Sequence, residues 1–152
     1  MRIPITMCHG IRPAGEKPLT VEHLDRLVGI AAELGFESIW WAEHPVRPAS
    51  IKVWPGSGSF TEELREHFKW SGSPDGLNPE FLGWMVDPFV ALARASAVTT
   101  TLKLGTAITV IPDRNPLLLA KEIATLDYFS GGRFLFGIGM GNTPEELAVM
   151  GG

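Results

Sequence analysis

The stretch LKLGTAITVIPDRNPLLLAKEIATLDYFSGGRFLFGIGMG at residues 102–141 leaves the chain few folds to choose from. Residues 102–110 are apolar and β-branched, as a buried strand should be. Pro112 ends that run. Asn115-Pro116 then supplies a helix N-cap with proline at the first helical position, where its missing N–H costs nothing. Leu117, Ala120, Ile123, Ala124 and Tyr128 recur at spacings of three and four, which predicts one apolar stripe. Gly131-Gly132 offers a left-handed stop, and residues 134–138 read as a second strand. Strand, helix and strand joined in this way form a βαβ crossover, whose strands lie parallel in one sheet.

The rest of the chain repeats the alternation. Residues 3–7 read as a strand and 8–19 as a loop with Gly10, Pro13, Gly15 and Pro18. Thr20 is a candidate N-cap for a helix whose stripe is Leu24, Leu27, Val28, Ala31 and Leu34, ended by Gly35. Residues 36–42, FESIWWA, predict a strand buried on both sides. Residues 43–86 differ: they carry Pro45, Pro48, Pro55, Pro74 and Pro79 among Gly, Ser and aromatics such as Trp54, Trp70 and Trp84. A loop this long is uncommon unless it has a job, such as a lid, or packs on its own domain. One short helix over 61–70 is conceivable within it. Asp87-Pro88 repeats the cap-plus-proline signal and opens a helix with Phe89, Leu92, Ala93 and Ser96 on one face. Thr143-Pro144-Glu145-Glu146 is a capping box that starts a last helix.

Strict alternation predicts an α/β fold with a parallel sheet. Two architectures fit: an open doubly wound sheet, or about the first four of the eight (β/α) units of a TIM barrel, which typically needs about 250 residues. We expect one partial domain over 1–152, with 43–86 as a long loop after the second strand. With 152 residues, 45% hydrophobic and 20% charged, the composition is that of a globular protein rather than a disordered one. A net charge of −4 argues against nucleic acid as a partner, because phosphate binding needs a basic face. The single cysteine, Cys8, excludes an internal disulfide and a CxxC metal site. There is no membrane-length apolar run and no signal-peptide pattern at the start, so cytoplasmic placement is the expectation.

In either architecture a ligand sits at the C-terminal ends of the strands. That rule selects Cys8-His9-Gly10, Glu43-His44, residues 106–113 and residues 137–142. His44 is the strongest candidate: an imidazole at a strand end, beside a carboxylate, that can move a proton near neutral pH. Glu43, the carboxylate beside it, is the second candidate catalytic residue. A packing histidine is the plain alternative, and His9 has a weaker setting. No metal site is expected, because adjacent Glu43 and His44 should point apart on a strand and a zinc site needs converging ligands. Gly137-x-Gly139-x-Gly141 fails the G-x-G-x-x-G dinucleotide pattern, since Asn142 stands where the third glycine belongs. A flat ring could still lie against that side-chain-free backbone; the other reading is a tight turn. No GxSxG nucleophile elbow is present.

GFESIWWAEH, LGTAITVIPDRNPLLLAKEIATLD and YFSGGRFLFGIGMG, in that order, resemble the luciferase-like monooxygenase superfamily, and the branch that uses coenzyme F420. The motifs cover roughly residues 20–44 and 87–149; the long loop matches only in position. The resemblance implies a TIM barrel that binds F420, or alternatively FMN, at its C-terminal face and transfers hydride to or from a small organic substrate. It implies that His44 acts as acid or base near the reactive ring carbon. It places a non-prolyl cis peptide at Ala107–Ile108 within the bulge Thr106-Ala107-Ile108, and ring contacts at Met140-Gly141-Asn142. Asn142 departs from the acid of the sugar-phosphate dehydrogenases and the tryptophan of many relatives. An amide cannot donate a proton as an acid does, so that reaction is not assigned. A sheet of four strands has two open edges, which invite pairing. The expectation is therefore a shortened gene product or a half-barrel that closes as a homo-oligomer. The alternative to an enzyme is a non-catalytic half-barrel that binds a flavin or a partner chain.

Overall fold

The computed structural model describes residues 3–7, 20–46, 86–141 and 144–151. The element order among them is β1 (Pro4–Met7), α1 (Val21–Glu33), β2 (Ser38–Trp41), α2 (Pro88–Val98), β3 (Lys103–Thr106), β4 (Thr109–Val110), a 3₁₀ turn (Ile111–Asp113), α3 (Pro116–Ser130), β5 (Phe134–Leu135), β6 (Ile138–Gly139) and α4 (Pro144–Met150). The strands are parallel throughout. One sheet runs β1-β2-β3-β5 and a second pairs β4 with β6. This is the parallel α/β arrangement that the alternation predicts. The long loop and the short helix inside it fall almost wholly outside the described residues.

The helix ends obey their local signals. Thr20, Asp87 and Asn115 each accept backbone N–H groups of the first turn, with Pro88 and Pro116 following the last two. Gly35, Gly131 and Gly132 take positive φ at the stops. Arg133, next after the double glycine, ties three elements: its guanidinium donates to the carbonyls of Ser130 at 2.6 Å, Leu102 at 2.6 Å and Ser96 at 3.4 Å. These acceptors lie at the end of α3, before β3 and in α2. Burial lowers the Arg133 pKa from its ordinary value.

The buried faces differ from the predicted stripes. In α1, Leu24, Val28 and Ala31 are buried while Leu27 and Leu34 are exposed. In α2 the core face is Phe89, Leu92 and Ala95, with Ala91; Ala93 is exposed. In α3 it is Leu119, Leu126 and Ser130, with Ile123 packed against the core, and Leu117 and Tyr128 point outward. Leu117, Leu118 and Leu119 are adjacent, so spacing alone offers several stripes; the sheet's position selects one.

The predicted single strands also divide. Residues 102–110 form β3 and β4, separated at a cis Ala107–Ile108 peptide, the bond that the resemblance implies. Residues 134–139 divide likewise into β5 and β6. Thr106 holds the two breaks together. Its buried hydroxyl donates to the Gly137 carbonyl at 2.8 Å and accepts from the Gly137 N–H at 3.0 Å. The Thr109 N–H reaches the same carbonyl at 2.8 Å. One hydroxyl thus bridges the two breaks and satisfies both backbone groups of Gly137.

A Cβ at Gly137 would meet the Thr106 carbonyl oxygen, which is backbone and cannot swing aside. Gly137→Ala is therefore expected to cost roughly 1–3 kcal/mol in urea unfolding, as overpacking does. Gly29→Ala is the control. Among the described residues nothing outside its own helix lies within 4 Å of its Cβ position in α1, and it should gain about 0.5–1 kcal/mol from helix propensity. Equal effects of both would contradict the bridge.

Candidate functional site

Glu43 and His44 lie just past the end of β2, and their side chains take different partners. Glu43 is 6% exposed. It accepts the Val110 N–H at 2.9 Å and the Arg114 Nε–H at 2.7 Å, with a further contact to Arg114 Nη2. Arg114 also donates to Asp87 at 2.6 Å and to Glu122 at 3.0 Å, and its guanidinium lies 4.9 Å from the Phe89 ring centre. One guanidinium thus joins the end of β2, the α2 N-cap and α3. Burial pushes the Glu43 carboxyl up, and Arg114 and the Val110 N–H pull it part of the way back. For Arg114 burial favours the neutral form, but the Glu43 and Asp87 carboxylates outweigh it and hold the pKa above its ordinary value.

His44 has a different partner. Its Nδ1 lies 3.0 and 2.9 Å from the two carboxylate oxygens of Glu146, in the first turn of α4. The sequence reading identified Glu146 only as part of a capping box; 102 residues separate the partners, so no spacing could have paired them. Asp113 is buried in the 3₁₀ turn, 5% exposed, and neither of its carboxyl oxygens has a hydrogen-bond partner among the described residues. Burial first, and then the Glu146 charge, raise its pKa from 3.8, while Arg114 and His44 oppose. A cavity of about 330 Å³ opens here, with Glu43, His44, Asp113 and Arg114 on its polar side and Leu118 and Leu119 on its apolar side.

The candidate ring contacts form a separate group at the same strand ends. Thr106 is fully buried and its hydroxyl is committed to Gly137, so it supports the bulge rather than facing outward. Ala107 is half-buried, and its N–H donates to the Trp41 carbonyl at 2.7 Å, three residues before His44. Ile108 is 40% exposed and leans over Gly139, where a Cβ would collide with its side chain. Met140 is 74% exposed, and Gly141 follows at φ 77°. Ile108 and Met140 thus place two exposed apolar side chains at these strand ends. Asn142, Cys8 and His9 lie outside the described residues.

Arg114→Met would leave the Glu43 carboxylate buried without its cation, and is expected to cost about 3–5 kcal/mol in urea unfolding. Adding Glu43→Gln should recover part of that loss. Additive losses would show that the two do not act as a pair. Asp113 gives a pH signature. Its folded pKa is raised, so the folded state keeps the proton longer than the unfolded chain does. Its stabilising share is complete below about 3.8 and is lost as pH rises through the higher folded value. Asp113→Asn should therefore gain on the wild type as pH rises from acid to neutral. A relative loss over that range would contradict the raised value.

The whole chain, residues 1–152, matches the family model described as luciferase-like monooxygenase. It is 30% identical over 128 residues to the alkanal monooxygenase alpha chain of Photorhabdus luminescens, covering 84% of this chain and 26% of that one. Among solved structures it is similar to the oxygenating constituent of 3,6-diketocamphane monooxygenase of Pseudomonas putida, solved in complex with FMN. The TM-score is 0.66 at 20% identity, over 99% of this chain and 32% of that one. It is also similar to the coenzyme F420-dependent tetrahydromethanopterin reductase of Methanopyrus kandleri, with a TM-score of 0.60 at 23% identity, over 99% and 30%. The chain thus spans about a quarter to a third of the length of these relatives. Parallel β/α units, the Ala107–Ile108 bulge and the match along its full length agree: the chain belongs to the luciferase-like monooxygenase family.

Proposed function

We propose that this chain is part of a flavin- or deazaflavin-dependent oxidoreductase that acts on a small organic substrate, with F420 as the cofactor and FMN as the alternative. The observation that carries the reading is the common location of two features. His44 is held at the end of β2, and the Ala107–Ile108 bulge, bonded back to Trp41, lies at the end of the neighbouring β3. Relatives of both cofactor types share this fold.

Ala107, Ile108, Met140 and Gly141 are the residues that would hold the ring, with Asn142 next in sequence. A bound ring of this class supplies hydride transfer. His44 supplies what hydride chemistry leaves over, a proton donated to or taken from the substrate, which positioned acid–base groups accelerate by about 10²–10⁴-fold. Glu43 serves this site by anchoring the strand end through Arg114 and Val110. The cavity beside His44 is of small-molecule size. The residues that would shape substrate choice include the long loop.

Fluorescence titration of the purified chain with F420 and with FMN tests the reading. Saturable binding of either ring is expected, weakened when Met140 or Ile108 is replaced by aspartate. His44→Ala in a full-length relative should abolish measurable turnover while leaving ring binding within about tenfold. A folded chain that binds neither ring would overturn the reading for this chain and leave the non-catalytic half-barrel.

A further inference from the structure

We propose that Glu146 is the positioning residue of His44: its carboxylate fixes the imidazole with hydrogen on Nδ1 and so makes Nε2 the nitrogen that exchanges a proton with substrate. Both Glu146 oxygens lie within 3.0 Å of Nδ1, and the residue is 3% exposed. A buried carboxylate needs a donor, and an ionised one can only accept. The nitrogen facing it must therefore carry hydrogen. The other ring nitrogen then holds the lone pair, which is the arrangement a general base requires, with a third group orienting the base.

Asp113, the other carboxyl near this pair, is buried without a hydrogen-bond partner among the described residues and is held toward its neutral form. The Arg114 guanidinium is occupied by Glu43, Asp87 and Glu122. Glu146 also stands six residues after Met140, just past the turn assigned to the ring. This inference rests on the proposed function for its catalytic meaning, but the tautomer is a property of the chain itself.

The test is long-range ¹H–¹⁵N spectroscopy of the chain labelled with ¹⁵N-histidine, with His44→Ala to assign the signals. It is run at a pH above the imidazole's titration. The wild type should show His44 with hydrogen on Nδ1, favoured by about tenfold or more, as a charge-assisted bond would favour it. Glu146→Gln should convert this to a mixture of tautomers, and Glu146→Asp should keep a partial preference for Nδ1–H. A wild-type His44 with hydrogen on Nε2, or an unchanged tautomer in both variants, would overturn the proposal. A merely structural tie between α4 and β2 would lower the melting temperature of the variants without moving the tautomer. Titration of the same samples with FMN and F420 separates the two claims. The tautomer result decides the positioning role, and ring binding decides the functional reading.

Discussion

A carboxylate buried beside a backbone N–H and a guanidinium sets the geometry of this protein's candidate site. Glu43 leaves β2 toward the inside and cannot remain there unpaired, because a buried charge without a partner costs several kcal/mol. Val110 and Arg114 satisfy it, and Arg114 brings Asp87 and Glu122 with it. The strand end, the α2 N-cap and α3 are thereby fixed against one another. Glu43 is thereby committed to Val110 and Arg114, while His44, the next residue, meets Glu146.

The sheet contributes the second half of the site by being interrupted. β3 and β5 stop where β4 and β6 begin, and Thr106 spans the break through Gly137. Gly137 tolerates no side chain, because the Thr106 carbonyl occupies the place of its Cβ, and Gly139 leaves room for Ile108. Bare backbone beneath an exposed isoleucine thus arises from packing needs at the bridge.

Much of this was legible in the sequence, and the parts that were not share a cause. Thr20, Asp87 and Asn115 were readable as caps, and Gly131-Gly132 as a stop, because each acts within one turn of chain. The cis bond at Ala107–Ile108 came from the family resemblance; nothing in the local composition announces it. The helix faces were legible in part: Leu24, Val28 and Ala31 of α1 and Phe89 and Leu92 of α2 are buried as their spacing predicts, but the face of α3 was not readable. α3 carries three adjacent leucines, and only contact with the sheet decides that Leu119 goes in while Leu117 stays out. Glu146 was hidden by a sound local reading. An acid in the first turn of a helix is explained by the dipole and the capping box, so nothing called for a partner 102 residues away. Arg114 was hidden in the same way, inside a motif noted for the Asn115-Pro116 cap that follows it.

The central claim is that a flavin-type ring binds where β3, β4 and β6 end, beside the histidine that follows β2. It is tested most directly by the backbone ¹H–¹⁵N spectrum of the labelled chain as F420 or FMN is added. The account predicts saturable shifts concentrated at Ala107, Ile108, Met140 and Gly141, with His44 following and the α1 amides unmoved. Shifts clustered instead at the opposite ends of the strands, around Phe36, Leu102 and Arg133, would place the ligand on the wrong face and contradict it.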